Sequence, residues 1–156
     1  MGGFGVLYYA GRLGTNDSAI EGTNGCPVTP ERYYENMKTI INRLLALYPN
    51  CRIVVHRPLW YSPNTYNGAK YLEEGLRRLQ DYYPQIQRLV DYYASHFPGQ
   101  VFLGDTKGFD YFKENHLTDF QAEKGNAGVF YLHPNEKGAV RLGELWSEAI
   151  RQALGL

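Results

Sequence analysis

No apolar run in the 156-residue sequence approaches the roughly 20 residues of a membrane-spanning helix, so no helical span is expected. Charge of one sign is also missing: 16 Lys and Arg face 16 Asp and Glu. Without a Lys/Arg-rich segment to hold a phosphate backbone, nucleic acid is not an expected partner. Cysteine is scarce. Cys26 and Cys51 are too few for a disulfide framework and lack metal-ligand spacing, so neither metal nor cofactor is expected. A single bridge is open, but Cys26 falls in a loop and Cys51 opens the next strand at the sheet's opposite end, which favours two free thiols. The opening MGGFGVLYYAGRLG has neither a positive n-region nor a long apolar stretch and is not read as a signal peptide. Repeats, low-complexity tracts and domain boundaries are absent, and residues 1–156 read as one domain, long enough to bury a core.

What is present is globular: 44% hydrophobic and 15% aromatic residues. The 14 tyrosines are unusual for this length. They serve either as amphipathic packing residues or, where they cluster with Trp in loops, as a platform for sugar rings. A short buried strand is expected over 5–12. Thr29 makes a good N-cap and Pro30 a good first residue for an amphipathic helix over 30–48. A β-branched strand follows at 51–56. Helical periodicity resumes from 69 to 82, Pro84 breaks or kinks it, and it continues to about 96. A third strand spans 100–104 and a short helix 107–115. Residues 117–133 read as irregular, and a closing helix follows Asn135. Strand and helix alternation implies a parallel sheet, with ligands bound beyond the strands' carboxyl ends, in loops 13–29, 57–68 and 105–134.

Two motifs lie in those loops: GTND, Gly14 to Asp17, and HPNEKG, His133 to Gly138. Singly each has a plain structural explanation: turn hydrogen bonds for Asn-Asp, and a helix N-cap at Asn135. Together and in this order they resemble the SGNH, or GDSL-type, hydrolase family of esterases and lipases. The resemblance implies a three-layer α/β/α, flavodoxin-like fold around a parallel sheet. It also implies that Asn16 matches an oxyanion-hole amide, His133 the general base, and Gly14 and Asp17 the residues that shape the loop. The chemistry suits these types. A preorganised N–H lowers the barrier to an ester's oxyanion, and imidazole takes and returns a proton near neutral pH.

The sequence departs from that family in ways that bear on function. No serine precedes GTND, and the Gly-Asp-Ser nucleophile block is absent. Only three strands are readable where the family has about five, so the chain is expected to be the downstream part of a longer domain, with its first strand carrying an unpaired edge open to self-association. Thr106 in LGDT, Ser62 and Ser95 are poor substitutes for the nucleophile. Phe130 stands where the family has Asp, three residues before His133. Asp105, Asp110, Asp119 and Glu123 are candidate acidic partners, and Asp119 is carried forward as one. His56, Arg57, Trp60 and Tyr61, in the loop after the central strand, suit a sugar ester or another polar acyl substrate. Equally, that loop is simply packed, with Arg57 in a structural ion pair. The expected function is an ester hydrolase acting on carbohydrate, a deacetylase or esterase, inactive as this chain alone. The alternative is a non-catalytic glycan-binding module. The family is often exported, and nothing in the sequence shows export.

Overall fold

The computed structural model describes residues 8–11 as backbone and 13–156 with side chains. Three parallel strands, β1 (Tyr8–Gly11), β2 (Arg52–Val55) and β3 (Val101–Leu103), pair in that order. Ala10 lies opposite Val54, and Val54 opposite Phe102. The central strand buries Ile53, Val54 and Val55, as a short β-branched segment covered on both faces should. All three carboxyl ends therefore open on one rim. Among the described residues β1 pairs with no strand other than β2. The expected strand's residues 5–7 and 12 lie outside the described residues.

After β1 comes a single helical turn, α1 (Thr15–Ser18), then α2 (Pro30–Leu47), which Thr29 caps by accepting from Arg32 N–H at 3.2 Å. Its buried stripe, Tyr34, Met37, Ile41 and Leu45, joins Leu79, Ile86 and Leu89 of α3 (Leu72–His96) in the core. Each such aliphatic side chain contributes roughly 1.5–3 kcal/mol by leaving water. Then follow α4 (Gly108–Asp119), an antiparallel hairpin of β4 (Glu123–Gly125) and β5 (Gly128–Phe130), and α5 (Glu136–Leu154), capped by Asn135. The helices α2 and α3 pack together, as do α4 and α5. This is the α/β architecture expected, and both cysteines are free thiols.

Three expectations need correction. Pro84 does not break α3, because it lies on the exposed side, where the Gln80 carbonyl it leaves without a donor meets water. Residues 69–71 are not helical. Lys70 bridges Glu21 and Tyr66 in extended pairing, with Ile20 N–H donating to Lys70 O at 2.7 Å. Residues 117–133 are not irregular, since α4 runs to Asp119 and the hairpin turns at Asn126-Ala127, where Gly128 takes φ +95°.

Candidate active site

The GTND segment follows β1 on the sheet's carboxyl rim. Gly14 adopts φ +128°, and a Cβ there would meet Tyr82 at 3.1 Å, Tyr33 at 3.2 Å and Pro58 at 3.3 Å. Glycine is demanded both by conformation and by space. Three phenols tie the segment and its immediate neighbours down, and a fourth holds Val28, whose N–H donates to Asp17 O at 2.9 Å. Tyr33 donates to Leu13 O (2.9 Å), Tyr71 to Asn16 Oδ1 (3.0 Å) and Tyr82 to Val28 O (2.6 Å), while Tyr61 shares a bond with Ser18 Oγ (2.8 Å). The Tyr33 and Tyr82 rings stack at 4.2 Å. Arg78 of α3 adds a bond to Ser18 O at 2.7 Å. Burial pushes the Tyr61 and Tyr82 phenols well above their ordinary range and raises that of Tyr71, so all three keep their protons. Burial likewise raises the Asp17 carboxyl. These tyrosines account for part of the unusual count as loop anchors, not as an exposed aromatic platform.

His133 leaves the hairpin from the other side. Phe130 is buried on β5, and its cross-strand partner is Glu123 on β4. Glu123 Oε1 lies 2.9 Å from His133 Nδ1 and accepts from the His133 backbone N–H at 3.3 Å. A carboxylate only accepts, so in this pair Nδ1 carries a proton, and in the neutral ring Nε2 is the nitrogen with the lone pair. Asp119 is not the partner of His133. It is fully buried and accepts from Tyr111, Thr118 and Lys137, each at 2.7 Å, joining α4 to the start of α5. Asp105 accepts from Lys107 and Gly108 N–H at the start of α4, and Asp110 lies 3.7 Å from Arg57.

The two segments meet at a cavity of about 520 Å³. Gly14, Thr15, Asn16 and Asp17 line one side, Leu132 and His133 another, and Leu59, Trp60, Asn67 and Tyr71 the rest. Of the four residues expected from the loop after β2, Trp60 alone is in that lining. His56 is buried, accepts from Asp105 N–H at 2.8 Å and stacks on Trp146. Arg57 lies over the Phe109 (3.9 Å) and Tyr83 (4.6 Å) rings and pairs with Asp110, the structural ion pair considered above. Tyr61 is fully buried. These three hold the loop and do not line the cavity. Tyr71 and Asn67 were missed: Tyr71 fits the helical period that resumes at 69, and Asn67 sits among turn residues. Ser18 and Ser62 are buried and hydrogen-bonded, the latter accepting from Tyr131 N–H at 2.8 Å. Ser95 and Ser147 lie exposed on α3 and α5. Among the described residues no group of three His, Cys, Asp or Glu could hold a metal ion, and no helix is long and apolar enough to cross a membrane.

The model of the GDSL-like Lipase/Acylhydrolase family matches residues 12–141, a span that takes in both GTND and His133. No curated protein and no solved structure matches the chain.

Proposed function

The chain belongs to the GDSL-like lipase/acylhydrolase family of SGNH-type ester hydrolases, and on that premise we propose that its cavity is an ester-hydrolysis site with Asn16 as oxyanion donor and His133 as general base. The observation that carries this reading is that both residues, 117 positions apart in sequence, line one cavity. In it, His133 Nε2 takes the proton of a hydroxyl nucleophile, which none of this chain's four serines supplies, as that oxygen bonds to the ester carbonyl carbon, and returns the proton to the leaving alcohol as the ester C–O bond breaks. Glu123, reaching across the hairpin to Nδ1, orients the ring and offsets the imidazolium charge. The Asn16 amide donates to the carbonyl oxygen as it becomes an oxyanion, a contribution of about 3 kcal/mol in comparable sites. The lining sets Thr15, Asn16, Asp17, Asn67 and His133 beside the aromatic faces of Trp60 and Tyr71, which supports a short acyl ester of a sugar over a long acyl chain.

None of the four serines serves as nucleophile in this reading, since two are buried in structural bonds and two lie on outer helix faces. The same observation favours the second reading, a glycan-binding module without turnover. The 156-residue chain is expected to hydrolyse p-nitrophenyl acetate no faster than its His133→Ala variant. Robust turnover lost in Ser62→Ala would overturn that assignment. In NMR titration, an acetylated sugar should shift the Asn16, Trp60 and His133 resonances as a set. Shifts confined to other residues would sink the hydrolase site, whereas glycan binding through Trp60 that leaves Asn16 and His133 untouched would favour the binding module.

A further inference from the structure

We propose that Tyr71 is a positioning residue that fixes the Asn16 amide with its N–H end toward the cavity, so that this side chain faces it as a hydrogen-bond donor only. The inference rests on the reading of Asn16 as an oxyanion donor and adds what makes it one. A side-chain amide has an accepting end and a donating end of nearly the same shape, and an exposed Asn presents either. Here the choice is made by the phenol. Tyr71 is 4% exposed, its ring packs edge-on against Tyr61 at 5.3 Å, and its hydroxyl donates to Asn16 Oδ1 at 3.0 Å.

The Asn16 main-chain carbonyl is already occupied, by Thr23 Oγ1 at 2.7 Å and Ala19 N–H at 3.3 Å, so the side-chain oxygen is the acceptor this phenol meets. A flipped amide would set Nδ2–H against the hydroxyl oxygen and strip the phenol's proton of its acceptor, a costly loss in a buried group. Burial keeps that phenol protonated. The backbone holds the pair in register as well. Ile20 N–H donates to Lys70 O at 2.7 Å and Lys70 N–H to Glu21 O at 3.0 Å, joining the residue beside Tyr71 to the end of the GTND turn. A carbonyl or anionic oxygen is therefore accepted at Asn16, and a donor group is turned away.

Titration with dimethylphosphinate, a tetrahedral anion that needs no turnover, tests this by following the Asn16 Nδ2H₂ signals. Asn16→Ala and Tyr71→Phe should each weaken binding about threefold to tenfold, and the double variant no further than the worse single one. Tyr71→Phe keeps the ring, so its thermal unfolding should stay close to that of the wild type. Wild-type affinity and unmoved amide signals in Tyr71→Phe, or additive losses in the double variant, would overturn the positioning role alone. Wild-type affinity in Asn16→Ala would instead remove the oxyanion reading beneath it.

Discussion

The Asn16 and His133 sides of the cavity are held by different means. The first is sewn to the core by side chains, with Tyr33, Tyr61, Tyr71 and Arg78 all bonding a short turn from α2, α3 and the intervening loop. The second follows the β4–β5 hairpin, its imidazole 59% exposed beside a single carboxylate that is 24% exposed. Its anchors run mostly through the main chain: Gln121 N–H donates to His133 O at 2.9 Å, Ser62 N–H to Tyr131 O at 2.9 Å and Asn126 N–H to Tyr66 O at 2.7 Å, while Gly138 of α5 lies directly against the Asp119 carbonyl. The contrast suits the two jobs proposed for Asn16 and His133. An oxyanion donor is useful only if it is fixed before charge develops, whereas a base must exchange protons with its surroundings.

The contrast can be broken by substitution. Gly138→Ala should have the largest effect, because its Cβ overlaps the Asp119 carbonyl. A loss of about 3 kcal/mol or more is expected in urea unfolding, beyond what better helix propensity returns. Gly14→Ala should follow at about 2 kcal/mol, since φ +128° is strained for alanine but the crowding groups are side chains that give way. The reverse order would mean that the side held by side chains is the more brittle one.

Asp119→Asn is expected to cost about 1–2 kcal/mol at neutral pH. Burial alone would raise the Asp119 carboxyl, but hydrogen bonds from Lys137, Thr118 and Tyr111 outweigh it and hold the group below its ordinary value. A depressed carboxyl contributes fully above the unfolded range near about pH 4 and loses that contribution as pH falls through the folded value. The gap between wild type and Asp119→Asn in unfolding free energy should therefore close between roughly pH 5 and pH 2. A gap that persists at the acid end would show the joint to be steric and not ionic. Glu123→Gln should be the mildest for stability, below about 1 kcal/mol, because both partners are solvent-screened. Long-range ¹⁵N spectra of neutral His133 should nonetheless show the Nδ1–H form in the wild type and a shift toward Nε2–H in the variant. An unchanged tautomer would remove Glu123 from the proposed site.

Much of this was legible in order along the chain. Periodicity located α2 and α5, Thr29-Pro30 and Asn135 marked their starts, and the β-branched run of β2 announced a strand buried on both sides. Gly14, Asn16 and His133 stood out through the resemblance of GTND and HPNEKG, taken together, to the hydrolase family. The hairpin was missed although Gly125-Asn126 is a turn signal, because its strands are only three residues long and show little alternation. The loop after β2 misled in a different way. His56, Arg57 and Tyr61 have the chemistry of a binding surface, and only packing against Trp146, Phe109 and Ser18 turns them inward.

The amino-acid order by itself marked the alternation of strands and helices, the loops at the strand ends, and the amide and imidazole carried on those loops, because each of these signals is written in residues within a few positions of one another. Which carboxylate meets His133, which phenol meets Asn16 and which loop residues reach the cavity were decided by tertiary contacts. Glu123 became the partner through a cross-strand pairing opposite Phe130. Tyr71 reached Asn16 because Lys70 pairs with Glu21 in place of extending a helix. Such pairings join residues far apart in sequence, and each is won by satisfying buried backbone groups that no local pattern records.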